Sequence, residues 1–308
     1  MQSSDALAAL LVVSPAATWI AEFTGVGARP GLTICGMSVP APLRLRPLEI
    51  GDVLDETFRL YRRNFLLIAG VSVAFAIPFA ALAGFSFGAL FGDLLNQAAS
   101  GNPADFSQMS NGIVGLLLGY LVNLALQPLQ VGAITFAVCE SALGRPVTLR
   151  GMLLGAMRRY LHVLGFLLLL LLMGLLFCLF PLWIWILVNW IAVLPAIFIE
   201  NLGLGAAMSR SWALVRGMWW RTFLILLLVG ILYYVVTLAL GAFFYAGQGL
   251  LSIVVSQYIA ISIYEGAVVL VQGLTVPILL IAIVLLYFDL RVRKEGIDLF
   301  QLASHLAT

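Results

Sequence analysis

The chain has 308 residues, 63% of them hydrophobic and only 10% charged, with a mean hydropathy of +1.10. Soluble domains carry nearer a quarter charged residues, so a water-soluble fold is excluded and the bilayer must solvate most of this surface. A net charge of +2, built from fifteen arginines and the single Lys294, excludes a lysine-rich nucleic-acid tail.

The first 42 residues read as a disordered extension, with Met37 as an alternative start. Ala6 to Ile20 is apolar but short, contains Pro15 and lacks the preceding basic residue that a secretory signal requires. Ile34 precedes Cys35, where a lipoprotein signal wants a small residue. The other cysteines, Cys139 and Cys178, complete no C-x-x-C or Cys/His spacing, so neither zinc nor a disulfide framework is expected. Residues 43–302 form the membrane domain and 303–308 a short tail.

The stretch "GDVLDETFRLYRRNF" opens that domain. At 100° per residue, Val53, Leu54, Thr57, Phe58, Leu60, Tyr61 and Phe65 share one half of a helix with Ile50. Asp52, Asp55, Glu56, Arg59, Arg62 and Arg63 take the other half. Asp55 and Glu56 stand four and three residues before Arg59, spacings that support a helix. A D-x-x-D metal pair is the rival reading, but three arginines compete for its carboxylates. The pattern predicts an amphipathic helix lying in the headgroup plane, charges up.

Two later segments repeat it. "LRGMLLGAMRRYLHVL" puts Leu149, Met152, Leu153, Met157, Tyr160 and Leu164 on the corresponding face. "LGAAMSRSWALVRGMWW" does the same with Leu204, Ala207, Met208, Ser211, Trp212, Leu214, Val215 and Trp219. The interfacial anchors expected from these helices and the last span are Tyr61, Arg62, Arg63, Trp212, Trp219, Arg291 and Arg293.

Apolar runs cover 65–91, 112–138, 161–180, 183–199, 222–245 and 266–288, each near the ~17–25 residues a spanning helix needs. Read as one helix, 161–199 would be roughly 58 Å long, so Pro181 with Trp183 and Trp185 is taken as a turn at an interface. The predicted fold is all-α: a polytopic membrane protein with six transmembrane helices in three hairpins, each hairpin preceded by a cytoplasmic-side amphipathic interfacial helix. On that count all sixteen Arg and Lys residues fall on one side, while the other holds Asp93, Asp105 and Glu265. The positive-inside rule then places both termini in the cytoplasm.

Polar side chains within spans are costly in lipid and mark candidate sites. Asn123, Gln127 and Gln130 cluster on the second span beside Pro128, expected to kink it. Asn189 lies in the fourth span, and Glu265 and Gln272 share a face of the last, with Pro277 further along. This seam either lines a cavity for a lipid headgroup or small solute, or bonds across helices as structural glue. The second reading is preferred, since amides serve that role and no acid–base pair accompanies them. Glu200 reads as a helix N-terminal residue, and Asp289 as a partner for Arg293 one turn later.

The stretches "LRPLEIGDVLDETFRLYRRNF", "PAIFIENLGLGAAMSRSWALVRGMWWRTF" and "LLYFDLRVRKEGIDL" resemble the integral membrane domain of bacterial glycerophosphodiester phosphodiesterases, which also occurs alone. The resemblance covers about Leu43 to Leu302. It implies a six-helix protein of the bacterial plasma membrane, not the phosphodiesterase activity, which belongs to a separate soluble barrel. That chemistry needs a His-Arg-Gly stretch with acidic metal ligands, and neither His162 nor His305 is followed by Arg-Gly.

No Gly-rich phosphate loop and no Ser-His pair can be assembled, so no catalytic residue, metal or cofactor is expected. The expected function is a non-enzymatic envelope scaffold, regulator or lipid-associating module, with a transporter or carrier using the polar seam as the alternative. Expected partners are membrane lipids, with a protein partner or a homo-oligomer left open and nucleic acid excluded.

Overall fold

The computed structural model describes residues 49–92, 94, 95, 98, 106–174 and 180–296; for residues 106–109 and 180 it describes the backbone alone. The expectations for the N-terminal extension, Asp93, Asp105, Cys178, His305 and the tail lie outside the described residues. Among the described residues every regular element is helical.

The chain runs through α1 (Ile50–Arg63), α2 (Phe65–Phe87) with a π-helical turn at Gly88–Gly92, and α3 (Phe106–Ala142). It continues through α4 (Leu149–Arg158), α5 (Tyr160–Gly174), α6 (Phe180–Asn189) and α7 (Val193–Ile199). Last come α8 (Leu204–Val215), α9 (Trp219–Leu251) and α10 (Gln257–Glu295). Five helical stretches are long and apolar enough to cross a membrane: Phe65–Gly92, Ser110–Ala142, Pro181–Ile199, Trp219–Leu251 and Gln257–Glu295. A sixth is reached if α4 and α5, bent by 67° at their junction, count as one. Pro128 and Pro277 both sit inside continuous helices.

α10 is the centre of the bundle. Of its most apolar stretch 61% is buried, against 33% for α2, 17% for α3 and 11% for α9. It packs against α2, α9, α1 and α3. The closest approach is to α2, where Gly84, Gly88 and Gly92 present bare backbone at four-residue intervals. A Cβ on Gly84 would stand 2.5 Å from the Ser262 carbonyl oxygen, and one on Gly92 2.5 Å from the Tyr258 Cα. Small residues at this spacing let helix backbones meet in lipid, where packing rather than water drives association.

Three short helices, α1, α4 and α8, precede the long apolar stretches at the predicted positions. On α1 the predicted phase matches: Val53, Thr57, Leu60 and Tyr61 are buried, while Arg59, Arg62 and Arg63 are exposed. What covers that face differs from the expectation. α1 packs on α10, and Tyr61 donates its hydroxyl to the Leu274 carbonyl at 2.6 Å. Tyr61, expected as an interfacial anchor, is thus buried and bonded inside the bundle. α8 likewise buries Ala207, Ser211, Leu214 and Val215.

α4 departs from its predicted phase. Met152 and Ala156 are buried, whereas Leu149 and Met157, assigned to the same face, are 53% and 65% exposed. Gly155 faces α3, and its missing side chain admits the Phe136 ring: a Cβ there would lie 2.7 Å from ring carbons.

The span predicted over 183–199 is present as the single stretch Pro181–Ile199, with its helix interrupted by a turn at residues 190–192. Pro195 lacks the N–H that would continue the ladder to residue 191. Two backbone groups at the break are met from α8: Ser211 donates to the Asn189 carbonyl at 2.7 Å and accepts from the Ala192 N–H at 3.1 Å. This satisfies the rule that irregular backbone in an apolar setting must find protein partners.

Candidate functional site

The polar chemistry concentrates at one end of the bundle, where the last two turns of α10 meet the α7–α8 link and the start of α9. Glu200 caps the C-terminus of α7. Arg210 of α8 donates from Nε to both Glu200 oxygens, at 2.9 Å each, and from Nη2 to Glu295 Oε1. Arg291 donates from Nε to Glu295 Oε2 at 2.8 Å and from Nη1 to the Tyr287 hydroxyl at 3.2 Å. Tyr287 in turn donates to Glu200 Oε1 at 2.6 Å, closing a ring of five side chains. The Arg291 guanidinium also stands 5.9 Å from the Tyr287 ring centroid.

A second group adjoins it. Asp289, with a side chain 0% exposed, accepts from Arg221 of α9 at 3.0 Å and from Arg293 at 2.9 Å. Lys294 donates to the Ala213 carbonyl at 2.9 Å near the end of α8, where that helix leaves carbonyls unpaired. At the α4–α5 corner, Arg159 reaches Asn201 Oδ1 at 2.5 Å, and Asn201 takes a left-handed backbone with φ of 54°.

Two carboxylates and two guanidiniums make the five-membered ring neutral. Burial works against the Arg210 charge, but hydrogen bonds to Glu295 and Glu200 and their attraction hold its pKa above the ordinary arginine value. Buried charges are tolerated when every partner is in place and punished when one is removed. This arrangement suits fixing three elements in one geometry better than exchanging protons with a substrate.

The Asp289–Arg293 pair was predicted from its spacing and is formed. Glu200 differs from its predicted helix N-terminal role: it ends α7 and accepts from two distant elements. Arg291 also departs from the anchor expectation, being 5% exposed and inside the ring. Arg62, Arg63 and Arg293 are exposed. Trp212, 38% exposed, meets Trp185 edge-on at 4.9 Å, and Trp219 stacks on Phe223 at 5.2 Å.

Of the six residues of the expected polar seam, Gln130 alone reaches another helix among the described residues. Its amide donates to the Ser72 carbonyl at 3.1 Å and hydroxyl at 3.0 Å, and Ser72 donates to the Gly273 carbonyl, joining α3, α2 and α10. Asn189 turns back on its own helix, to the Trp185 carbonyl at 2.7 Å. Asn123, Gln127 and Glu265 are half-buried, and Gln272 is exposed. A groove of about 620 Å³ between α2 and α10 is lined by Ile77, Ala80, Gly84, Phe85, Ser262 and Gly266 among others. None of the six seam residues lines it.

Compared with known proteins, the chain matches no family model, no curated protein and no solved structure. Its class therefore rests on the fold: a helical chain with apolar helices compatible with a multi-pass membrane protein.

Proposed function

We propose that this chain is a non-enzymatic membrane module that presents a rigid, charged platform at the surface of a bacterial plasma membrane. In this reading six spans form three hairpins, α5 and the α6–α7 stretch making the middle one. α1, α4 and α8 lie on the cytoplasmic side with both termini. The resemblance to the membrane domain of glycerophosphodiester phosphodiesterases belongs to the same reading, as a stand-alone domain that scaffolds, regulates or associates with lipid.

The observation that carries it is the closed ring of Glu200, Arg210, Glu295, Arg291 and Tyr287. Its donors and acceptors answer one another and tie the α7–α8 link to the end of α10, so its chemistry is spent on holding shape. The one-sided distribution of arginine supports the orientation. The scattered placement of the seam residues, with Gln272 on an exposed face, gives the carrier alternative no assembled site.

Cysteine accessibility and native mass spectrometry test this together. Single cysteines at Arg216 and Ser252 should be labelled from opposite sides of sealed vesicles. Protein released from nanodiscs should retain lipid but no stoichiometric solute. Labelling from the same side refutes the topology, and a retained solute lost on Gln127→Leu replaces the module with a carrier.

A further inference from the structure

All three amphipathic helices bury one face on the bundle, α4 through Met152 and Ala156, but α4 also carries the most exposed apolar side chains of the three. Leu149, Leu154 and Met157 of α4 are 53%, 44% and 65% exposed, and Leu161, just past the bend, is 74% exposed. Arg150 and Arg158 share the exposed half of α4 and have no hydrogen-bond or ion-pair partner among the described residues. Charge on this face is of one sign. No acidic residue stands between Glu140 and Glu200, and Glu140 itself is engaged by Arg145 at 3.2 Å. α1 differs, because Asp52, Asp55 and Glu56 share its outer face with its arginines. The 67° bend at the α4–α5 junction turns α4 away from the direction of α5. If α5 crosses the membrane, α4 lies along its surface.

We propose that α4 is a docking site for anionic phospholipid, with Arg150 and Arg158 holding headgroup phosphates while acyl chains lie against Leu149, Leu154, Met157 and Leu161. The inference rests on the membrane reading above and adds to it a lipid class and a place. Guanidinium recognises phosphate through paired, charge-assisted hydrogen bonds. An exposed apolar side chain beside it is covered at no further cost when the ligand brings its own hydrocarbon. The two arginines stand eight residues apart, roughly 12 Å along the helix axis, so each addresses its own phosphate. An acidic protein would satisfy the arginines, but it would leave the interleaved Leu and Met side chains facing a charged surface.

The test uses the full chain in nanodiscs of equal parts phosphatidylcholine and phosphatidylglycerol, with native mass spectrometry reading the lipids retained on release. The wild-type chain should retain phosphatidylglycerol above the bulk ratio. That preference should fall roughly fivefold for each arginine removed in Arg150→Gln/Arg158→Gln. It should persist in Arg150→Lys/Arg158→Lys and in the control Arg59→Gln, whose guanidinium Glu56 already holds. Met157→Glu, a change at an exposed position that keeps both arginines, should lower it by placing a like charge beside the phosphates.

Retention at the bulk ratio by wild-type chain overturns the docking site, as does an equal loss per arginine in the Arg59→Gln control or an unchanged preference in Met157→Glu. A co-released acidic protein with lipid at the bulk ratio overturns it in favour of a protein partner. A chain that does not enter the discs at all refutes the membrane reading instead, so the two failures are told apart.

Discussion

Replacing Glu200 by alanine is the sharpest test of the ring at the charged end. The carboxylate accepts from Arg210 at 2.9 Å on each oxygen and from Tyr287 at 2.6 Å, with Arg291 at 3.7 Å. Its removal leaves Arg210 and Arg291 sharing Glu295, so a neutral ring acquires one uncompensated positive charge. Breaking a fully buried pair costs about 3–5 kcal/mol. The side chains of Glu200 and Arg210 are 15% and 27% exposed, and water reaching them screens part of that loss, leaving about 2–3 kcal/mol.

The assay is reversible unfolding in mixed micelles with increasing SDS, followed by helical circular dichroism. A double-mutant cycle of Glu200→Gln, Arg210→Gln and the pair isolates the interaction. Removing both partners together should cost less than the sum of the single losses by at least about 1 kcal/mol. The Glu56–Arg59 pair, 2.7 Å apart with the Arg59 side chain 72% exposed, provides the baseline, since pairs with a guanidinium in solvent give about 0.2–1 kcal/mol. If Glu200→Ala costs no more than Glu56→Ala, or the cycle shows no coupling, the ring does not hold the helices together and the platform reading loses its support.

Three further changes probe the bundle itself. Tyr61→Phe removes the bond to the Leu274 carbonyl and should cost about 0.5–1.5 kcal/mol in the same unfolding assay, whereas a side chain resting in headgroups would show no loss. Gly84→Ala forces a methyl against the Ser262 carbonyl and should cost about 1–3 kcal/mol, as overpacking does; an unchanged midpoint would mean that α2 and α10 do not meet there. Gln130→Leu should destabilise by about 1 kcal/mol through loss of its bonds to Ser72. Gln127→Leu should leave stability within about 0.5 kcal/mol, and the reverse order would restore Gln127 as the working member of the seam.

Periodicity disclosed more than polarity did. The 100° spacing picked out Val53, Thr57, Leu60 and Tyr61 as one face, and it picked out Ala207, Ser211, Leu214 and Val215, because a helix buries whatever its geometry lines up. It did not disclose what lies over that face, since protein and lipid reward the same side chains. On α4 it did not disclose the fit of Phe136 against Gly155, which is a tertiary event.

Ser211 read as one more small residue on an apolar face, yet its hydroxyl mends the break at residues 190–192. The break itself was not anticipated, and a proline alone does not mark one, since Pro128 and Pro277 sit inside continuous helices. Asp289 and Arg293, four residues apart, were legible. Glu200 and Tyr287, 87 residues apart, were not, because nothing in a linear chain says which helix ends will meet. Attention drawn to amides within the apolar runs missed the more consequential polar groups, the charges at the ends of those runs.

The central position of α10 bears on how the molecule is made. Chains emerge from the ribosome N-terminus first, so the helix with the largest buried share is the last of the described elements to appear. Until it arrives, α2 has its glycine face open, Tyr61 has no carbonyl to reach, and Arg210 and Glu200 await Arg291 and Glu295. α2 and α3, and α3 and α4, can pack before it, but every surface that meets α10 stays open until this last helix arrives. A chain halted before residue 257 would expose to lipid and to quality control the very surfaces that the finished molecule hides.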